Sequence, residues 1–484
     1  MPAVGKTYQT IAAEKQRQRQ SKIPKEWLLR ESYHGVTNLM EVPLTCGVLS
    51  EGERRITSNH DATSLLEKLR SGSWSAEQVT IAFCKRAAIA HQLTNCLTEI
   101  FFDEAIKRAR ELDRERQTDP LKAIRPLHGL PVSLKDSFQV SGFDTSTGLA
   151  CFVDENAEED SATAAMLLDL GAVLYCKTNV PQSIMTADSD NNVFGRTLNP
   201  RNTALTVGGS TGGEGALIAL RGSVLGIALF LKTTMQAKTW QYDSAVVTVP
   251  WMNLEPKENV RIGIVFDDGV YTPSPPVRRG LKKAYDLLQQ CSKVEMVPLT
   301  LPNVQEHYID LLKYFTLDGA KNYLELFART GEPEVPSLKA IGLSSMKGTD
   351  LLGFFDLNVR RQAAARDYQG LFHNNGIDAI LMPPAPHTAL PPDQWTSATY
   401  TGLWNYLDYP AIVIPVDTVC SSDVTDDISN AKYGAEDARL YRLYTGPKLY
   451  KDAPICVQLV GYRYADEALT HTASLVNSII NGLE

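Results

Sequence analysis

Polar side chains dominate the first helical stretch of the chain, Met1–Gln20, and the mixed segment after it ends in the turn-forming run Thr57-Ser58-Asn59-His60. This pattern predicts an N-terminal helical arm over residues 1–60, ahead of a single α/β domain over 61–484. From Asp61 the apolar spacing becomes helical. Asp61 is placed to cap a helix carrying Leu65, Leu66 and Leu69 on one face. Ser75 to Gln78 has the S-x-x-Q form of a capping box ahead of Val79, Ile81, Ala82 and Phe83. Between about Asp103 and Arg116, acidic and basic residues alternate at helical spacing, which predicts a solvated face.

After Pro120 the period shortens. Leu130–Leu134 and Ala172–Cys176 read as strands, with a capped helix over Asp160–Leu170 between them, the βαβ pattern of a parallel sheet. The pattern recurs as a strand at Val260–Phe266, a helix near Val277–Gln290 and a strand at Val294–Leu299. Ala379–Met382, Ala411–Val416 and Ile455–Val460 follow as strands, and a helix closes the chain from Asp466. The fold class is α/β, with a central sheet covered by helices. Gly331–Asp350 and Ser421–Pro454 are polar and rich in Pro and Gly, and read as surface excursions. Ala216–Leu231 is almost wholly apolar but shorter than the roughly 20 residues of a bilayer helix, and it contains Arg221, so it is expected to be a buried core helix.

Composition narrows the function. The 484 residues carry 48 Lys and Arg against 56 Asp and Glu, a net charge of −8 that gives no electrostatic footprint for nucleic acid. Eight scattered cysteines without a C-x-x-C read as reduced, mostly buried thiols. The eight histidines form no metal-ligand spacing, so no metal is expected. The N-terminus lacks the apolar core of a secretory signal, which points to a cytoplasmic location without a membrane partner.

Three motifs could carry chemistry. Gly208 to Gly215 is a dense glycine cluster containing Gly208-x-Ser210-x-Gly212, readable as a nucleophile elbow or as a plain turn before a helix. Lys135 ends an apolar strand. It is either an exposed edge residue or a buried amine whose pKa falls far enough for it to act as a general base through a hydroxyl. Thr178–Ser183 and Asp188–Asn192 are polar loops following a strand, where α/β sites form and where turns and caps also occur.

In order along the chain stand PLHGLPVSLKDSF, GAVLYCKTNVPQS, NNVFGRTLNPRN and GGSTGGEGALIA. Together they resemble the amidase signature family, in particular the fungal acetamidase-like amidases. The likeness extends through TGLWNYLDYPAIVIPV and APICVQLVGYRYADEAL to the end of the chain. It implies an amidase-type mixed sheet and hydrolysis of a small carboxylic amide to acid and ammonia. The chemistry would be a Ser–cis-Ser–Lys triad without a cofactor. Lys135 matches the family lysine and Ser210 the bridging serine, which commonly sits on a cis peptide bond. Ile184, with Met185 and Thr186, occupies the loop that lines the substrate pocket in relatives.

The third triad member has no counterpart. Where the family carries its nucleophile, in a glycine-rich stretch with an aspartate, this chain has Thr234 inside ALFLKTTMQAK. LFLKTTMQAKTWQYDS instead resembles a stretch that lies beyond the nucleophile loop, so the chain is expected to jump from Gly226-Ile227 to Ala228-Leu229. On this reading two core elements are joined end to end in the apolar run, the nucleophile and its oxyanion loop are omitted, and Thr234 is structural. The alternative is a non-catalytic relic that still binds an amide or acid. A third reading makes Ser210 the nucleophile of an α/β-hydrolase with His471 as base, which would leave Lys135 unexplained. The oligomeric state is not fixed by the sequence, and a homodimer is compatible with it.

Overall fold

The computed structural model describes residues 6–119, 124–224 and 226–482. Met1–Gly5 of the polar N-terminal stretch, Pro120 at the change of period and Leu225 in the apolar run lie outside the described residues. The chain divides into two compact units. One comprises Met1–Trp251 with Asn322–Ile341 and Pro391–Trp395, and the other Met252–Lys321, Gly342–Leu390 and Thr396–Glu484.

The first unit is built on α1 (Tyr8–Ser21), α2 (Glu51–Ser58), α3 (Ala62–Ser71), α4 (Ala76–Thr94) and α5 (Phe102–Thr118), with α6 (Ala162–Asp169), α7 (Gly212–Ala219) and α8 (Ile227–Gln236) further on. Its strands are β1 (Leu97–Ile100), β2 (Pro131–Lys135) and β3 (Val173–Thr178). The sequence-predicted caps are present: the Asp61 carboxylate accepts from the Ser64 amide, and Ser75 and Gln78 close a full capping box. Leu65, Leu66 and Leu69 are buried where the helical spacing puts them. The strand order is β1-β3-β2, with β2 and β3 parallel and β1 antiparallel to β3. As the centre of this sheet, β3 is buried at every position.

Residues 6–60 belong to this unit. Lys15 of α1 sits between Glu99 at 2.5 Å and Asp144 at 2.7 Å, and Arg19 donates to the Leu97 carbonyl at 2.6 Å. The apolar run from Ala216 is not the single buried helix expected. It is broken into α7 and α8 by a turn in which Arg221 takes φ +60°. Only the first half is core: Ala216 and Leu217 are fully buried, whereas Ile227 and Phe230 are 47 % and 42 % exposed.

The second unit carries β4 (Val260–Ile264), β5 (Val294–Pro298), β6 (Ala379–Met382), β7 (Ala411–Thr418) and β8 (Pro454–Gly461) in the order β5-β4-β6-β8-β7. β4 is parallel to β5 and β6, while β8 runs antiparallel to β6 and β7, so the β structure is mixed. Strand alternation divides its core. Ala379 and Leu381 pack with Leu281 and Leu469 from α9 (Pro275–Gln289) and α13 (Asp466–Asn481). Ile380 and Met382 pack with α10 (Val304–Phe315), α11 (Leu351–Asn375) and α12 (Thr399–Leu407), where Tyr368, Tyr400, Trp404 and Tyr406 form an aromatic cluster. Of the Gly331–Asp350 excursion, the short helix Pro336–Ala340 belongs to the first unit, whereas the 3₁₀ turn Leu343–Ser345 belongs to the second, where Asp350 caps α11 through the Gly353 amide.

Candidate functional site

Lys135 is the last residue of β2, in parallel register with Thr178 of β3. The following residue fixes the strand end. Asp136 is buried and accepts from Thr98 Oγ1 at 2.7 Å, Ser146 Oγ at 2.9 Å and the Thr147 amide at 2.7 Å. With its neighbour anchored, Lys135 projects so that Nζ donates to Ser210 Oγ at 2.8 Å, the distance of a charge-assisted hydrogen bond. Burial lowers the Lys135 pKa below its ordinary value, because the ammonium loses solvation while the neutral amine does not.

Ser210 lies in the turn ahead of α7, and the Gly209–Ser210 peptide is cis. The turn is clamped by its neighbours. Ser189 Oγ donates to the Gly208 carbonyl at 2.9 Å and accepts from the Gly212 amide at 3.0 Å, while the Gly213 amide donates to the Asn179 carbonyl at 3.0 Å. Glycine is required by close approach. A Cβ on Gly209 would stand 2.6 Å from the Thr186 carbonyl oxygen, and one on Gly213 would stand 2.2 Å from the Asn179 nitrogen. At the far end of α7, buried Arg86 donates to the Leu220 carbonyl at 2.7 Å and reaches Thr57 and Ser58 of α2.

The polar loops serve as scaffold. Asn179 donates to the Gly195 carbonyl and Thr197 Oγ1, and Asn191 donates to Asn179 Oδ1 at 2.8 Å. Asp188 accepts from Thr206 Oγ1 and is ion-paired with Arg196. Ile184 is half-buried in the turn Gln182–Ile184 at φ +64°, on the loop whose Thr186 carbonyl abuts Gly209.

Thr234 is buried in α8. Its hydroxyl donates back to the Phe230 and Leu231 carbonyls of the same helix, at 2.8 and 3.1 Å. His471 lies on α13 of the second unit, and the hydrogen bond at Ser210 Oγ comes from Lys135.

A polar cluster that the sequence reading passed over stands beside Lys135. Ser133 Oγ donates to Glu214 Oε1 at 2.8 Å and lies 2.9 Å from Ser223 Oγ. Burial raises the Glu214 pKa, with the surrounding hydroxyls opposing the shift. Strand alternation carries a signal for this cluster, since Ser133 is two residues from Lys135 and so shares its face of β2. Both border a cavity of about 380 Å³ walled by β2, α6, α7 and α8. Among the described residues, no group of three or more His, Cys, Asp or Glu side chains could hold a metal ion.

The Amidase family model matches residues 78–228 and 223–470, in two pieces that meet at the junction between α7 and α8. The acetamidase of Emericella nidulans is 30 % identical over 548 aligned positions, covering 99 % of each chain. That of Aspergillus oryzae is also 30 % identical, covering 98 % of this chain and 99 % of its own. Among solved structures, a fatty acid amide hydrolase superposes with a TM-score of 0.91 at 26 % identity, covering 99 % of this chain and 97 % of the other. With the family model spanning most of the sequence and two acetamidases aligned along nearly its whole length, this chain belongs to the amidase family.

Proposed function

We propose that the reaction inherited by this chain is hydrolysis of a small carboxylic amide to acid and ammonia, and that the chain itself is impaired in it. Lys135 is the base and Ser210 the proton bridge. In the complete reaction, neutral Lys135 takes a proton from the nucleophile through the Ser210 hydroxyl and returns it to the leaving nitrogen. The observation that carries the reading is the 2.8 Å contact of Lys135 Nζ with Ser210 Oγ, together with the lowered lysine pKa. Ile184 is proposed to border the substrate on the adjoining loop. The proposal includes a cytoplasmic location. Among the described residues, no helix is long and apolar enough to cross a membrane.

The impairment follows from what stands at the junction. The family model matches in two pieces that meet at 223–228, and the alignment to the Emericella nidulans acetamidase runs to 548 positions against 484 residues here. Both support the omission of a segment carrying the nucleophile and its glycine loop. Losing the nucleophile of such a triad removes about 10⁶-fold of rate. Each oxyanion donor lost removes a further factor of about 10²–10³. Thr234 offers no substitute, since its hydroxyl is committed to its own helix. Ammonia release from acetamide and benzamide by the purified chain tests the reading. Release no higher than from Lys135→Ala is expected, and turnover lost in that variant would overturn the impairment.

The alternative, a non-catalytic protein that keeps an amide-binding site, draws on the same junction. Sequencing the transcript tests the omission on which both readings rest. An intron boundary misplaced after Ile227 would restore the missing residues and remove this alternative together with the impairment.

A further inference from the structure

In the second unit, β4 and β6 are neighbouring parallel strands whose following helices lie on opposite faces of the sheet. α9, which follows β4, packs with Ala379 and Leu381, whereas α12, which follows β6, packs with Ile380 and Met382. Where the connections of adjacent strands diverge in this way, α/β sheets bind ligands outside the carboxyl ends of the strands. The loop leaving β4 borders a cavity of about 560 Å³, within the range of small-molecule pockets. Phe266, Asp267 and Thr272 line it from that loop, and Asn430 and Lys432 from the Ser421–Pro454 excursion. Pro275, Arg278, Arg279 and Lys282 line it from α9, where the spacing i, i+3, i+4, i+7 puts all four on one face.

Four of these side chains are cationic and one is acidic. The two arginines are committed. Arg279 grips Asp423 with both arms of its fork, at 2.6 and 2.9 Å, and reaches Asp417 at 2.8 Å. Arg278 is held by Asp426, the Tyr441 hydroxyl and the Pro273 carbonyl. The two lysines are held loosely. Lys282 is paired with Asp286 one turn along α9, and Lys432 with Asp267 at 3.0 Å, and their side chains are 71 % and 59 % exposed. Exposed pairs of this kind contribute little, so either ammonium can turn donors toward a ligand at small cost. Asp267 also accepts from the Tyr433 hydroxyl at 2.6 Å, which occupies its second oxygen. Phe266 sets its ring edge-on to Tyr285 and is 49 % exposed.

We propose that this cavity binds a small molecule that joins an aromatic ring to a phosphate, of the size of a mononucleotide. The lysines select the head. A carboxylate is best held by a planar arginine fork, and both forks are already engaged. A phosphate has three terminal oxygens and bridges two ammonium point charges carried on separate elements, with the Asn430 side-chain amide as a further donor. The exposed Phe266 ring takes the aromatic part by stacking.

The proposal uses no residue of the Lys135 site and stands whether or not the chain hydrolyses an amide. Calorimetric titration of the full chain with adenosine monophosphate, set against adenosine and inorganic phosphate, tests it. Saturable one-to-one binding of the monophosphate is expected, with each of the other two at least about tenfold weaker. Raised salt should weaken the monophosphate, because the lysines that hold it are exposed. Phe266→Ala should bring the monophosphate toward the affinity of inorganic phosphate. The double variant Lys282→Gln, Lys432→Gln should weaken it by about tenfold or more. Circular dichroism and the unfolding midpoint establish that each variant is folded, and the single Lys282→Gln, with a smaller loss expected, serves if the double variant is not. Adenosine or inorganic phosphate binding as tightly as the monophosphate would overturn the proposal. So would monophosphate binding unchanged in the folded variants, or no binding to the unsubstituted chain.

Discussion

Gly213 and Gly215 lie two residues apart in α7, yet replacing each with alanine should move stability in opposite directions. An alanine Cβ at 213 would fall 2.2 Å from the Asn179 nitrogen and 2.6 Å from the carbonyl oxygens of Asn179 and Cys96. All three are backbone atoms, held by the Gly213–Asn179 hydrogen bond and the 2.8 Å bond from the Asn179 amide to Cys96. No rotamer change relieves the overlap, so the N-terminus of α7 must withdraw from the end of β3. That places the cost at or above the upper end of overpacking, about 3 kcal/mol. At 215 nothing lies within 4 Å and the residue is exposed, so alanine supplies only its better helix propensity, a gain of about 0.5–1 kcal/mol. Urea unfolding of the two variants beside the unsubstituted chain gives the difference, expected to be near 4 kcal/mol. Variants that unfold within about 1 kcal/mol of each other would refute the close packing of α7 on the strand end.

Three further outcomes follow from single side chains. Glu99 has its pKa pushed up to about 7, chiefly by burial and against the pull of Lys15, so the folded state holds a proton that the unfolded state releases near 4.5. Stability should therefore fall as pH rises from about 4.5 through 7, and urea midpoints of Glu99→Gln should lack that slope; a variant with an unchanged slope would contradict the assignment. Lys135 has a lowered pKa, so its burial is unfavourable below that value and relieved as pH rises toward 10.5; Lys135→Met should leave the neutral-pH thermal midpoint unchanged or raised, and a marked fall would contradict this. Thr234→Ala should leave ammonia release at the level of the unsubstituted chain, and a decrease would assign its hydroxyl a chemical role.

Elements whose determinants are local could be read from the sequence. The capped helices α3 and α4 and the strands β2, β3 and β6 carry their signals in side chains a few residues apart. β1 could not be read that way. Its four residues include Glu99, buried because Lys15 pairs with it from α1, a contact between distant parts of the chain. α11 escaped for another reason. Leu351, Leu352, Phe355 and Val359 are exposed while Leu357, Ala364, Tyr368 and Phe372 are buried, so apolar residues occupy more than one face and the helical period is blurred. The apolar run from Ala216 misled through composition: its overall apolar character outweighed the polar and glycine signal of Arg221-Gly222-Ser223, where the turn falls. At the site, Lys135 and Ser210 stood out through the order of four motifs, while Glu214 was masked by the glycines around it. It stands in the site because Ser133 of β2, 81 residues away in the sequence, donates to it, a pairing that only the folded chain makes.

The central claim is that this amidase-family chain keeps the lysine and bridging serine but lacks an activated nucleophile. Treating the purified chain with a serine-directed fluorophosphonate and weighing the intact protein tests this most directly. The phosphonate forms a covalent adduct only where a base-activated hydroxyl attacks phosphorus and expels fluoride. The account predicts an unmodified mass, identical for the unsubstituted chain and Lys135→Ala. One adduct per chain, lost in Lys135→Ala, would contradict it.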